Sequence, residues 1–190
     1  MSLATSETLA SISNVYTWEP PDRVIAARYG VPVGDVLRFD LNTSPTAPDF
    51  LAEVLASPFD PPLNEYPDST YAALAEAAAD YVGADPSEIL VGAGADEVLD
   101  VIAKTCLAPG AVSVVPVPTY AMFRVLSSQR GAQVVSVSRL GPEAGFALDL
   151  PATRAVLERA DIVWLCSPNN PTALAEEPST LDALLAAGAE

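Results

Sequence analysis

Four short stretches of this chain carry residues able to do chemistry. Gly92-Ala93-Gly94-Ala95-Asp96-Glu97 places three small residues between an apolar run and a helical pattern. Backbone N–H groups there can approach an anion closely, and a helix dipole adds roughly half a positive charge at the same point. The chemistry is phosphate binding. It is not a Walker loop, since no Gly-Lys-Ser/Thr follows, and it lacks the Gly-x-Gly-x-x-Gly spacing of dinucleotide folds. The Asp96 carboxylate is unfavourable beside a phosphate, so it has to turn aside and leave the contact to backbone. Pro118-Thr119-Tyr120 repeats the arrangement one βα unit later, with an aromatic whose face can stack on a flat heterocycle. In Cys166-Ser167-Pro168-Asn169-Asn170-Pro171-Thr172 the prolines stiffen a polar loop, and Asn170 can donate an amide hydrogen to a phenolic oxygen. Tyr66, in Asn64-Glu65-Tyr66-Pro67-Asp68, offers a hydroxyl to an anion. Each residue also has a purely structural alternative. Asp96 can simply cap its helix, Tyr120 can be a core or rim aromatic, Tyr66 an exposed loop residue, and the asparagines part of a polar turn.

The elements that must position these residues follow from the apolar pattern. Helices are expected over 23–29, 49–56 and 70–82, the last beginning at Ser69, with Phe50, Leu51, Val54 and Leu55 on one face of the second. Asp85-Pro86-Ser87-Glu88 has the residue types of a capping box around a single turn. A brief extended segment is expected over 39–42. From there strands at 89–91, 111–115, 133–137 and 161–166 alternate with helices at 96–107, 120–129, 150–160 and 178–187. Continuous apolar strands between amphipathic helices imply α/β architecture, a mostly parallel sheet covered on both faces as three α/β/α layers. In such a sheet ligands sit at the carboxyl ends of the strands, where three of the four stretches lie.

Composition removes many other mechanisms. Half of the 190 residues are apolar and mean hydropathy is +0.28, which excludes disorder. The chain has no histidine, so Ser-His-Asp triads, Cys-His dyads, His-ligated metal and HExxH helices are all impossible. A net charge of −16, with one lysine and eight scattered arginines, repels nucleic acid and anionic lipid. No run approaches membrane-spanning length and residues 1–15 carry no signal-peptide pattern, so the expected location is cytoplasmic. Cys106 and Cys166 are isolated in or beside apolar runs, which favours buried, inert thiols.

Taken together, the four stretches describe a phosphate at a helix start, an aromatic over a ring and an amide at the ring's edge. In that order and spacing they resemble the fold-type I pyridoxal-phosphate aminotransferases (class I/II), and within them the histidinol-phosphate aminotransferase group most closely. The resemblance rests on Asn64-Glu65-Tyr66-Pro67-Asp68, Gly94-Ala95-Asp96-Glu97, Pro118-Thr119-Tyr120-Ala121-Met122-Phe123 and Cys166-Ser167-Pro168-Asn169-Asn170-Pro171-Thr172. It implies pyridoxal 5'-phosphate as cofactor, with its phosphate on the backbone of Ala95 and Asp96, Tyr120 stacked on the ring and Asn170 on the phenolic oxygen. Tyr66 would reach the cofactor phosphate of a neighbouring subunit, implying a homodimer. An amino donor and a 2-oxo acid would be the substrates. The implied organisation is an N-terminal arm and short helix over 1–45, and the N-terminal part of the cofactor-binding large domain over 46–190.

Two departures from the family pattern stand out. Ala173 occupies the position after Asn-Pro-Thr where the family usually has glycine. The family's Schiff-base lysine, its pyridine-pairing aspartate and its carboxylate-gripping arginine would all lie beyond Glu190. The resemblance therefore implies the N-terminal half of a longer polypeptide, without a catalytic residue of its own and inactive alone. Lys104, the only lysine, shares a polar stripe with Glu97 and Asp100, while Val98, Leu99, Val101, Ile102 and Cys106 face the sheet. It lies eight residues from Asp96, about 12 Å along a helix axis. That is too far to stand in. Two alternatives remain: a non-catalytic remnant binding the cofactor or a partner chain, and a related decarboxylase of an amino-acid phosphate.

Overall fold

The computed structural model describes residues 19–44, 46–62 and 64–188. The reading of residues 1–15 lies outside them. The described residues divide into two units, one up to Val91 and one from Gly92 onward.

The first unit holds α1 (Asp22–Tyr29), α2 (Leu51–Ala56) and α3 (Ala72–Val82). Arg38 ties its early part together, forking onto both oxygens of Asp40 at 2.7 and 2.8 Å and reaching Asp22 at 2.7 Å. Helix α3 starts two residues later than the sequence pattern suggests. Asp68, rather than Ser69, precedes it as acceptor, taking the Thr70 N–H at 3.0 Å and the Thr70 hydroxyl at 2.7 Å. The capping box is present: Asp85 accepts from the Ser87 N–H while Glu88 accepts from the Asp85 N–H. Two expectations are corrected. Residues 39–41 of the expected extended segment form bends, and the expected strand 89–91 pairs with nothing among the described residues, because three apolar residues do not by themselves specify a strand partner, and Leu90 is exposed. Phe50, Leu51, Val54 and Leu55 are all exposed.

The second unit runs α4 (Gly94–Cys106), β1 (Val112–Val117), α5 (Ala121–Gln129), β2 (Gln133–Ser138), α6 (Leu150–Leu157), β3 (Ile162–Val163) and α7 (Pro178–Gly188). The strands form a parallel sheet in the order β2-β1-β3, with β1 in the middle. Side chains alternate across β1. Val115 joins a buried cluster with Ala103 and Leu107, at the end of α4, Phe123 and Leu126 from α5, and Trp164. Val114, fully buried, faces the opposite way, where α6 packs on β1 and α7 on α6. Helices thus cover both faces.

Ser127 of α5 sits at the centre of the first face. Its hydroxyl donates to the Phe123 carbonyl at 2.7 Å and accepts the Trp164 indole N–H at 3.0 Å. Its one hydrogen being committed, the 2.7 Å contact with Ser113 must be donated by Ser113. One buried oxygen is therefore saturated and joins α5, β1 and the end of β3.

Strand β3 is shorter than the expected 161–166, and β1 supplies the reason. Odd residues of β1 turn their carbonyls to β2, as in Arg139 N–H to Val117, and even residues turn to β3, as in Trp164 N–H to Val114 at 3.0 Å. Pro116 is the next even residue. It has no N–H to offer, so the β1–β3 ladder ends at Val114–Val163 and the chain beyond is free to form a loop. At the opposite end Asp161 closes the ladder, its carboxylate accepting the Val112 N–H at 2.7 Å. The cysteines also need correcting. Cys106 is exposed and Cys166 only half-buried, because α4 turns Ala103 and Leu107, not Cys106, into the core.

Candidate functional site

The site is built where β1, β3 and α4 bring loops to one end of the sheet. Gly94 opens α4 with φ +78°, a left-handed turn open to glycine at little cost, and an added Cβ at Gly92 would meet Val98 at 3.0 Å. Small residues here let the chain turn tightly into a helix of 13 residues. The N–H groups of Ala95 and Asp96 fall in the first turn, where no preceding helical carbonyl can accept them. Both residues are exposed at this helix N-terminus, the kind of position at which backbone N–H groups can bind an anion. The Ala93 N–H is already taken by the Glu97 carboxylate, which narrows the seat to the residues after it.

Asp96 does turn its carboxylate aside. Its Oδ1 accepts the Tyr120 hydroxyl at 2.7 Å, linking the start of α4 to the residue that precedes α5. The Tyr120 ring is half-buried and stands edge-on to Phe123 at 5.9 Å, and Phe123 in turn stacks on Trp164 at 5.1 Å. Packing on that side fixes the ring's plane.

The polar loop after β3 is tied to the same place through Asn169, which sequence reasoning passed over. Asn169 is 1% exposed. Its Oδ1 accepts the Thr119 hydroxyl at 2.8 Å, and its amide donates to the Pro118 carbonyl at 3.1 Å and the Thr172 hydroxyl at 2.8 Å. Its backbone closes a tight ring, N–H to Leu174 at 2.7 Å and carbonyl from Ala173 at 2.6 Å. Asn170 is exposed. The available signal was the doubled asparagine between two prolines, where one amide must satisfy the loop and leave the other outward. Ala173 adopts φ +58° to complete the ring, a left-handed conformation for which glycine is better suited. The far end of the loop is held by Glu176, whose N–H reaches Ser167 and whose carboxylate pairs with Arg139 at 2.6 Å, the two side chains 4% and 0% exposed.

Asp96, Tyr120, Thr119 and Asn169 are thus joined by direct hydrogen bonds, with Ala95 and Asn170 each one residue away. Tyr66 lies in the other unit and is 97% exposed. Lys104 is exposed and paired with Asp100 at 2.5 Å, as the polar stripe implies, whereas Val101 and Cys106 on the expected inner face are exposed. Among the described residues no group of three or more carboxylates and thiols is placed to hold a metal, and no helix is long and apolar enough to cross a membrane.

A parallel sheet with helices on both faces, carrying these loops at its carboxyl end, defines an α/β domain of the kind that binds ligands at its strand ends. The chain belongs to the aminotransferase class I and II family, whose pattern matches residues 39–189. It is 35% identical over 176 residues to histidinol-phosphate aminotransferase of Roseiflexus castenholzii, covering 90% of this chain and 47% of that protein. It is also 35% identical over 162 residues to the enzyme of that name from Methanopyrus kandleri, covering 78% of this chain and 41% of the relative. Among solved structures it is similar in fold to histidinol-phosphate aminotransferase of Sinorhizobium meliloti in complex with pyridoxal-5'-phosphate. That match has a TM-score of 0.75 at 23% identity and covers 97% of this chain and 48% of the other. The chain therefore spans about half the length of the relatives it matches.

Proposed function

We propose that this chain holds pyridoxal phosphate for an aminotransferase of the histidinol-phosphate type, exchanging an amino group between an amino acid or amino phosphate and a 2-oxo acid. The observation that carries the reading is the pair of hydrogen bonds Tyr120–Asp96 and Thr119–Asn169, which gather three loops at one end of the sheet. The residues fit the cofactor's chemistry: N–H groups of the first helical turn for a dianion, an aromatic face and the side-chain amide of an exposed asparagine.

In this reading the N–H groups of Ala95 and Asp96 bind the phosphate. The Tyr120 ring covers the pyridine and keeps water from that face, and the Asn170 amide donates to the phenolic oxygen. The bound cofactor supplies an electron-withdrawing ring that takes up charge as a bond to the substrate's α-carbon breaks. Tyr66, exposed on its loop, is proposed to donate to the phosphate held by a second copy of the chain, which makes the working form a homodimer. Lys104 is held by Asp100 three turns into α4, so we assign this chain binding and orientation and no proton transfer of its own.

Equilibrium dialysis against pyridoxal phosphate tests the reading. Saturable binding, weakened by Tyr120→Ala and by inorganic phosphate, is expected. Absence of saturable binding would overturn it. Incubation with cofactor, an amino acid and a 2-oxo acid should give no sustained turnover from this chain alone, and steady keto-acid production would contradict the assignment of binding without turnover.

A further inference from the structure

We infer that Asn169 is a positioning residue that sets Asn170 against Tyr120, an inference resting on the reading of Asn170 as donor to the cofactor's phenolic oxygen. Asn169 is the one fully buried polar side chain of the loop. Both its amide hydrogens are used, on the Pro118 carbonyl and the Thr172 hydroxyl, and its oxygen accepts from Thr119. Two of those three partners belong to the segment leading into Tyr120, and the third to its own loop. The joint is therefore made one residue before Tyr120 on one side and one residue before Asn170 on the other. The backbone ring of Asn169 with Ala173 and Leu174 closes the loop, leaving Asn170 and Pro171 exposed while Thr172 turns back onto the Asn169 amide. No apolar residue reproduces this: a buried amide with three partners leaves Thr119 and the Pro118 carbonyl unsatisfied when truncated, and the two loops lose their common origin.

A positioning role makes three predictions that a general structural role does not. Asn169→Ala should weaken pyridoxal phosphate about tenfold, the loss of roughly one hydrogen bond to a charged oxygen, while leaving inorganic phosphate binding unchanged. The double variant Asn169→Ala with Asn170→Ala should bind no worse than Asn170→Ala alone, since both act through one contact. The bound cofactor's phenol should ionise at higher pH in either single variant, read from its absorbance. Thr119→Val, a milder change, should give part of the same shift, and Thr119→Ser should restore it. Additive losses, or an unaltered spectrum in Asn169→Ala, would overturn the inference. If the native chain binds no cofactor, the proposed function itself fails. The inference is then decided by hydrogen exchange, where Asn169→Ala must speed exchange in both 118–122 and 170–174.

Discussion

Tyr120 donates its hydroxyl hydrogen to Asp96 at 2.7 Å, a bond between residues 24 apart in sequence. It turns a carboxylate that would repel a phosphate into the acceptor that aims an aromatic ring. Tyr120→Phe keeps the ring and loses the aim. Its dissociation constant for pyridoxal phosphate is expected to rise by up to about tenfold, the value of one ordinary hydrogen bond. Tyr120→Ala should lose clearly more, and dialysis of the two variants side by side checks the order.

Ser127 is the structural counterpart on the inner face of the sheet. Ser127→Ala leaves the Trp164 N–H and the Ser113 hydroxyl buried without their shared acceptor, which should cost about 2–3 kcal/mol in urea unfolding. Ser113→Ala removes only a donor and should cost about 1 kcal/mol.

Ala173 carries backbone strain at φ +58°. Ala173→Gly should stabilise the chain by about 0.5–1 kcal/mol, the relief of a left-handed alanine less the extra entropy of an unfolded glycine. Calorimetry should show a rise in Tm of about 1–4 °C for a chain of this size.

Arg139 and Glu176 form a buried pair at 2.6 Å, with the Nε and Nη2 of Arg139 lacking a hydrogen-bond partner among the described residues. Glu176→Ala strands the guanidinium and should cost about 3–5 kcal/mol. Replacing both, Arg139→Met with Glu176→Leu, should cost far less, and a double-mutant cycle in urea separates the two outcomes.

The turn before α3 should be acid-sensitive. The Thr70 N–H, then its hydroxyl, then the Ala72 N–H hold the Asp68 carboxyl below the ordinary aspartate range. A group with a lowered folded pKa stabilises the fold above its unfolded value and loses that contribution as pH falls through the folded one. Amide protection at Thr70 and Ala72 should therefore be flat above about pH 4 and decline below it. Asp68→Asn should abolish the pH dependence, as followed by hydrogen exchange.

The order of helices and parallel strands from Gly94 onward was legible in the sequence because apolar runs and amphipathic periods are local signals. The length of β3 was not, because it is set across the sheet by Pro116, a residue nearly 50 positions earlier. The outward turn of Cys106 was hidden for a related reason: a half-turn of helix decides it, and periodicity cannot resolve that at a helix end. At the site, the residue types flagged Tyr120 and Asn170, while Asn169 stayed unremarked since two identical neighbours differ only in which of them the fold buries.

The ring contact of Phe123 with Trp164 has a practical use. Tyr120 meets Phe123 edge-on and Phe123 lies flat on a buried indole, so an absorbing ligand stacked on Tyr120, as proposed, would sit three aromatic contacts from an intrinsic fluorophore. Occupancy of the loops should dim Trp164 emission by energy transfer, and the protein carries its own optical gauge without any attached dye.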